Sequence, residues 1–233
     1  MVSMLKAAFN MEPELRHVKG TIRAGREITG QAPQRRCLRV DDHAHAEQPM
    51  TRVFIGGSRR ISRLSDAVRG RLARVAEKGI PVLIGDASGA AKAVQRYLQE
   101  RAYERVEVFS SDPSPRNNIG GWPVRVVRPT HTRRDFDYYA TKDRAMAAEA
   151  TVGLMLWDGE SRGTLLNVLR LLGQHKPVVV FIDSKQAFTD IRNEADFDTL
   201  VAGLEQSAAK KLHEVAAAEG FQPGKGLPAQ LRL

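Results

Sequence analysis

The sequence predicts an α/β protein built on a doubly wound, mostly parallel sheet with helices on both faces. Between residues 50 and 185, apolar segments of strand length alternate with segments of helical period, an order typical of βαβ units. The run Val178–Ile182 is continuously apolar, as expected of a strand covered on both sides. Glycine-bearing turns at Gly56, Gly85 and Gly159 each follow a strand, so they should share the sheet edge where ligands bind.

The first half of this region is predicted to contain three strands and two helices. The strands cover 52–55, 81–84 and 106–109; one helix runs from Leu64 to Lys78 and the next ends near Arg101. Ser62 and Ser65 are candidate N-caps of the first helix. Gly79 should end it, because glycine readily adopts the left-handed conformation that follows a helix.

The second half begins with the turn-rich segment 110–123, which predicts a flap or binding loop. A short strand over 124–127 and a helix over 135–150 follow, and we expect Phe136, Tyr139, Met146 and Ala150 to face inward. A buried strand, a glycine-rich turn, a helix and the strand Val178–Ile182 come next. A last helical region covers about 194–219.

Length and composition predict one domain with appendages at both ends. The 233 residues are 42% hydrophobic and 27% charged, which is ordinary for a globular protein. Residues 1–49 lack a sustained period and predict a disordered N-terminal arm. Residues 50–185 form the predicted α/β domain, and residues 186–233 form a predicted helical extension and tail.

Charge and cysteine content narrow the class of partner. The net charge of +9 favours polyanions without specifying one. The single cysteine, Cys37, can form no internal disulfide and has no partner cysteine for a metal site. No apolar run approaches the roughly 20 residues that span a bilayer, and no signal peptide is evident. We therefore expect a cytoplasmic protein that has no membrane partner and binds no metal or cofactor.

The turn Asp158–Thr164, with the sequence DGESRGT, carries the clearest functional signal. It lies where a parallel strand passes into a helix. Free amides at a helix start, together with the hydroxyls of Ser161 and Thr164, suit an anion and most often a phosphate. The turn lacks the spacing of a Walker-type P-loop, and Gly56-Gly57-Ser58-Arg59 lacks that of an NAD-binding loop.

Three segments taken together resemble the SLOG superfamily. They are Gly57-Ser58-Arg59, Gly85-Asp86 with Gly89, and the late segment Trp157–Thr164. This Rossmann-like group includes the LOG proteins, relatives of nucleoside deoxyribosyltransferases and the DNA-processing protein A family, and the resemblance covers about residues 52–183. It implies a nucleotide or nucleotide-derived ligand at the three turns. Because enzymes of the group are often dimers, it also allows a homodimer.

The candidate residues have distinct predicted roles. Ser58 and Arg59 are placed to meet a phosphate, and Asp86 to accept hydrogen bonds from a ribose or base or to cap the next helix. Lys142 and Asp143 replace the Arg-Lys pair of the LOG pattern Arg-Lys-x-x-Met, which ends here at Met146. The full set of candidate ligand-binding residues is Gly57, Ser58, Arg59, Gly85, Asp86, Gly89, Lys142, Asp143, Asp158, Gly159, Ser161, Gly163, Thr164 and Asn167.

Asn167 decides how the possible functions rank. The catalytic members of the family have Gly-Thr-x-x-Glu at this point, and their Glu works on the anomeric carbon of the sugar. An asparagine amide is neither a base nor a carboxylate nucleophile. Nucleotide binding, for example by a sensor, is therefore the first prediction. An N-glycosidic hydrolase or transferase with Asp158 as candidate catalytic residue is the second, and a single-stranded DNA binder is the third.

Overall fold

The computed structural model describes residues 50–221 and centres on a seven-stranded sheet. The predicted arm over 1–49, with Cys37, lies outside the described residues, as does the tail from residue 222 onward. The strands are β1 (Val53–Gly57), β2 (Val82–Gly85), β3 (Val106–Ser110), β4 (Val124–Val126), β5 (Val152–Trp157), β6 (Val178–Ile182) and β7 (Ala187–Ile191).

The order of strands across the sheet is β4-β3-β2-β1-β5-β6-β7. All neighbours are parallel except β6 and β7, which are antiparallel. The first strand, β1, therefore lies in the middle of the sheet; the following strands build outward to β4, and β5 then returns beside β1. Such a reversal creates a crevice outside the carboxyl ends of β1 and β5.

Six helices cover the sheet within the described residues: α1 (Asp66–Glu77), α2 (Ala90–Glu100), α3 (Phe136–Glu149), α4 (Arg162–Leu172), α5 (Glu194–Val201) and α6 (Gln206–Ala218). Side chains alternate between the faces of each strand. Val53 and Ile55 pack with α1 and α2, whereas Phe54 between them packs with α3, α4 and α6. The predicted α/β architecture with helices on both faces is confirmed.

Local signals placed several helix ends correctly. The Ser65 side chain accepts a hydrogen bond from the Val68 amide at the start of α1, and Gly79 follows the end of α1 with φ of +61°. Asp135 caps α3 in the same way by accepting from the Tyr138 amide at 3.0 Å. These short polar side chains supply acceptors that the first helical turn lacks.

Four expectations need correction. Gly56 and Gly57 belong to β1 rather than to the turn after it. Phe136 is 50% exposed, because it stands at the first position of α3 beyond the edge of the core. Strand β7 was not predicted, since its sequence AFTDI mixes polar and apolar residues as an edge strand does. The last helical region is two helices, separated at 202–205.

Strand β7 changes how the C-terminal part of the chain is described. Because β7 pairs with β6 and α6 packs into the core beside α4, residues 187–218 complete the sheet and one of its faces. They are not a helical extension appended to a finished domain. Within residues 50–221, no helix is long and apolar enough to cross a membrane.

Candidate functional site

A cavity of about 790 Å³ opens at the carboxyl edge of the sheet, above β1, β2 and β5 and between α3 and α4. This volume lies within the range of small-molecule sites. Its mouth is formed by the exposed residues Arg59, Arg162 and Phe136. Its floor is formed by the buried residues Lys142, Met146 and Asn167.

The start of α4 faces this cavity with its first amides uncapped. Ser161 is the N-cap residue, but its side chain makes no capping hydrogen bond and instead accepts from the Thr164 hydroxyl at 2.9 Å. The amides of residues 162–164 consequently have no acceptor among the residues that the structure describes. Amides in this position, reinforced by the helix dipole, attract an anion.

The charges at the mouth are not fully balanced. Arg60 pairs with Glu160 across the gap between the loops that follow β1 and β5. Arg59 and Arg162 are exposed, and neither side chain has a hydrogen bond or ion pair with any other described residue. The mouth therefore has two cations that form no ion pair with any described residue, beside the uncapped helix start, while the ionised carboxylate of Asp158 is hydrogen-bonded within its own loop.

Ser58 and Asp158 join the loops after β1 and β5. The Ser58 hydroxyl donates to Oδ2 of Asp158 at 2.6 Å and accepts from the Arg60 amide at 3.1 Å. Oδ1 of Asp158 accepts from the amides of Glu160 and Ser161 at 3.1 and 2.8 Å. Burial by itself would raise the pKa of Asp158, but these hydrogen bonds outweigh it and lower the pKa below its ordinary value. Asp158 is thus an ionised carboxylate that holds its own loop in shape.

Two glycines leave room for the cavity. A Cβ added to Gly56 would approach Sδ of Met155 to 3.0 Å and Nδ2 of Asn167 to 3.5 Å. A Cβ added to Gly85 would lie 3.4 Å from Nζ of Lys142. Without side chains at these positions, the ends of β1 and β2 expose backbone to the cavity.

Two other candidate glycines serve packing. A Cβ on Gly89, which has φ of +73°, would lie 2.3 Å from the carbonyl oxygen of Arg59. A Cβ on Gly57 would meet the Leu156 carbonyl oxygen at 2.5 Å and Ala90 at 2.9 Å. Both glycines allow a close approach of backbone to neighbouring atoms that any larger residue would prevent.

The corner after β2 is occupied by the protein itself. Asp86 is 2% exposed, and its carboxylate accepts two hydrogen bonds from the Arg116 guanidinium, at 3.0 and 2.7 Å. The Arg116 amide adds a third at 3.1 Å, and the guanidinium lies 4.5 Å from the centre of the Tyr139 ring. Burial opposes ionisation of Asp86, but the contacts with Arg116 prevail and lower its pKa. Asp86 therefore binds Arg116 and does not cap α2, whose N-cap is Gly89.

The floor contains two ion pairs. Lys142, 4% exposed, donates from Nζ to Asp143 at 2.7 Å and to the Tyr139 carbonyl oxygen at 3.3 Å. Arg170 of α4 is also buried and pairs with Glu219, which lies just beyond α6, through both Nε and Nη2. Nη1 of Arg170 additionally lies 3.9 Å from Oδ2 of Asp143. The charges of these four residues balance.

Asn167 lies between this charge network and the cavity. Its Oδ1 accepts a hydrogen bond from Nη1 of Arg170, and its Nδ2 lies on the side of Gly56. An arginine has no acceptor atom, so the contact with Arg170 requires the oxygen of the amide on that side. The NH₂ group is left directed toward the cavity.

Most of the predicted site residues line this cavity. They are Gly57, Ser58, Arg59, Gly85, Lys142, Asp143, Asp158, Ser161, Gly163, Thr164 and Asn167. Asp86, Gly89 and Gly159 do not: Asp86 binds Arg116, Gly89 packs on Arg59, and Gly159 forms the turn after β5 with φ of +91°. Trp157, which begins the segment Trp157–Thr164, is buried in the core.

Sequence reasoning missed several residues of the site. Phe136 and Tyr139 line the cavity, although their spacing on α3 was interpreted as a core pattern. Arg162 was inside the recognised turn, and its position next to Gly163 was a usable signal. No sequence signal predicted the contact between Arg116 and Asp86, because it joins residues 30 positions apart and Arg116 lies in an irregular loop.

The lining carboxylates are all engaged in the structure. Asp135 caps α3, Asp143 pairs with Lys142, Asp158 holds its loop, and Glu160 pairs with Arg60. A general base or carboxylate nucleophile needs a free oxygen directed at the reacting atom. Asp158, the candidate catalytic residue, has both carboxylate oxygens engaged by protein groups and is therefore poorly placed for either role.

Among residues 50–221, no group of three or more His, Cys, Asp or Glu side chains is arranged to hold a metal ion. Neither a scan against models of known protein families nor a search of curated proteins found a match to this chain.

Proposed function

We propose that this protein binds a nucleotide or nucleotide-derived ligand, with the ligand's phosphate at the start of α4. The observation that carries the proposal is the coincidence of three features at one cavity mouth. These are the uncapped amides of residues 162–164, the unpaired cations Arg59 and Arg162, and an opening at the carboxyl ends of parallel strands.

The remaining lining supports an organic ligand larger than inorganic phosphate. The volume of about 790 Å³ far exceeds that of one phosphate. Phe136 and Tyr139 offer aromatic surface next to the cationic mouth, and an aromatic face suits a nucleobase. The SLOG resemblance of residues 52–183 favours the same class of ligand.

Binding ranks above N-glycosidic cleavage because of the state of the polar groups. Asn167 replaces the family's glutamate, and Asp158, the remaining catalytic candidate, accepts three hydrogen bonds and has a lowered pKa. A carboxylate held in this way is a weak base. A signalling role, in which the bound nucleotide is sensed rather than consumed, agrees with such a site.

The direct test is titration calorimetry of the purified protein against the common nucleoside mono-, di- and triphosphates. We expect at least one of them to bind, with affinity that falls as salt rises, because cations at the mouth contribute. Absence of binding to every phosphorylated ligand at millimolar concentration would refute the proposal. Chromatography of the same mixtures for released base distinguishes holding a ligand from cleaving it.

A further inference from the structure

Asn167 is the one floor residue whose polar group points into the cavity without a protein partner. The side chain is 6% exposed, and Nδ2 has no acceptor among residues 50–221. Its N–H groups are reached from the cavity, which Asn167 lines. A ligand atom in the cavity that accepts a hydrogen bond would give Nδ2 the partner that the protein does not supply.

The orientation of the Asn167 amide is fixed from behind. Arg170 donates to Oδ1, and Glu219 holds Arg170 through two hydrogen bonds. Rotating the amide by 180° would direct NH₂ at a guanidinium that can only donate. Asn167 therefore presents hydrogen-bond donors to the cavity in any state that keeps Arg170 in place.

The electrostatic character of the floor differs from that of the mouth. Lys142 pairs with Asp143, and Arg170 pairs with Glu219, so the charged residues of the floor compensate one another. At the mouth, Arg59 and Arg162 remain uncompensated. A ligand with an anionic end and a neutral end fits this arrangement only with the anionic end at the mouth.

We infer that Asn167 is a specificity-determining residue, which selects ligands whose neutral end carries a hydrogen-bond acceptor such as a base carbonyl oxygen or an unprotonated ring nitrogen. The inference rests on the proposed nucleotide-binding function and specifies the orientation of the bound ligand in the cavity. The phosphate stays at the mouth, and the acceptor of the base meets Nδ2 of Asn167. Phosphate without the nucleoside does not reach the floor.

The test compares Asn167→Asp with the parent protein, using nucleoside monophosphates and inorganic pyrophosphate as probes. Asp is nearly isosteric with Asn and accepts the same hydrogen bond from Arg170, so the fold is expected to persist. The second carboxylate oxygen of the Asp, however, would face the ligand's acceptor atom in place of an N–H group, and two acceptors without a shared proton repel each other. We expect affinity for the best nucleoside monophosphate to fall at least tenfold, while affinity for pyrophosphate changes less than threefold.

Two further variants complete the experiment. Gln99→Glu makes the same change of charge at an exposed position on α2, away from the cavity, and should leave both affinities unchanged. Asn167→Ala removes the donor without adding charge and should weaken only the nucleoside monophosphate. Thermal unfolding of each variant monitors the fold.

The outcomes separate the two claims. Equal nucleotide affinity in the parent, Asn167→Asp and Asn167→Ala proteins would overturn the role of Asn167 while leaving nucleotide binding intact. A parallel loss of pyrophosphate affinity in Asn167→Ala would also overturn it, since the phosphate end would then contact the floor. A parent protein that binds no nucleotide would overturn both claims.

Discussion

Two corners of the same sheet edge share a sequence signal but differ in structure. After β2 comes Gly85-Asp86 with Gly89 before α2, and after β5 comes Asp158-Gly159 with Gly163 inside α4. At the first corner, called the closed corner below, the Arg116 guanidinium binds Asp86. At the second corner, called the open corner below, Asp158 accepts hydrogen bonds from its own loop, and the start of α4 stays uncapped.

The comparison shows that an aspartate beside glycines at a strand end does not by itself identify a binding site. Asp86 is buried, and a buried carboxylate needs a partner; the loop between β3 and β4 provides Arg116. Asp158 is less buried, and its carboxylate accepts hydrogen bonds from two backbone amides and one hydroxyl. A side chain from a distant loop blocks the closed corner, whereas the partners of Asp158 belong to the adjoining loops and leave the helix start accessible to a ligand.

The largest expected effect is that of Gly89→Ala at the closed corner. The new Cβ would lie 2.3 Å from the Arg59 carbonyl oxygen, at a φ of +73°. We expect a loss of about 3 kcal/mol of unfolding free energy, from overpacking together with left-handed backbone strain. Urea unfolding measures it, and a variant as stable as the parent would show that Gly89 has no packing role.

The next effect concerns the ion pair at the closed corner. Asp86→Asn leaves Arg116 without its counter-ion, and we expect a loss of about 2 kcal/mol at neutral pH. This is below the 3–5 kcal/mol typical of fully buried pairs, because the Arg116 side chain is 35% exposed. Nucleotide affinity should change little, since Asp86 does not line the cavity.

The same variant has a pH signature. Because folding lowers the pKa of Asp86 below its ordinary value of 3.8, the stabilisation is complete above that value and is lost as pH falls through the folded-state pKa. The stability difference between the parent and Asp86→Asn should therefore shrink as pH falls below 3.8. Urea unfolding as a function of pH measures the difference; a gap that stays constant down to the lowest accessible pH would contradict the assigned ion pair.

A smaller effect tests the open corner. Arg162→Ala removes one of the two unpaired cations and should weaken phosphorylated ligands by about 1 kcal/mol, roughly fivefold, with little change in stability. Arg96→Ala neutralises an exposed arginine on α2, outside the cavity lining, and serves as control. If both variants lose the same affinity, general attraction to a basic protein explains the binding better than a site.

The smallest effect sharpens the contrast between the two corners. Gly163 has open space where a Cβ would be, so Gly163→Ala should raise the unfolding free energy by about 0.5–1 kcal/mol through helix propensity. The same methyl group narrows the approach to the amides of α4, and ligand affinity should fall. Gly70→Ala in α1, another helical position with open space, should gain stability without losing affinity.

The sequence was sufficient to predict six of the seven described strands and most of the helices, because period, caps and apolar runs are local properties. Ser65 and Gly79 marked the ends of α1, and the run Val178–Ile182 marked a strand with neighbours on both sides. Strand β7 was missed because an edge strand is stabilised by its pairing with β6 rather than by its own pattern. Phe136 was misassigned because an aromatic residue at a helix start fits a core and a rim equally well.

The site was only partly predictable for a different reason. The turn Asp158–Thr164 has a strong local signature, and it lies on the cavity. Three side-chain contacts of the site join residues that lie 30 to 100 positions apart in the sequence. They are the contacts of Ser58 with Asp158, of Asp86 with Arg116 and of Arg170 with Glu219. Such pairings depend on tertiary geometry, and they determine which candidate side chains remain free.

The contact between Glu219 and Arg170 has a practical consequence for handling the protein. A fragment that ends before residue 219 would lack Glu219 and leave the buried guanidinium of Arg170, which contacts the cavity residue Asn167, without this ion-pair partner. Fragments prepared for crystallography or screening should therefore retain the end of α6, and a tag or fusion there needs a spacer beyond Glu219.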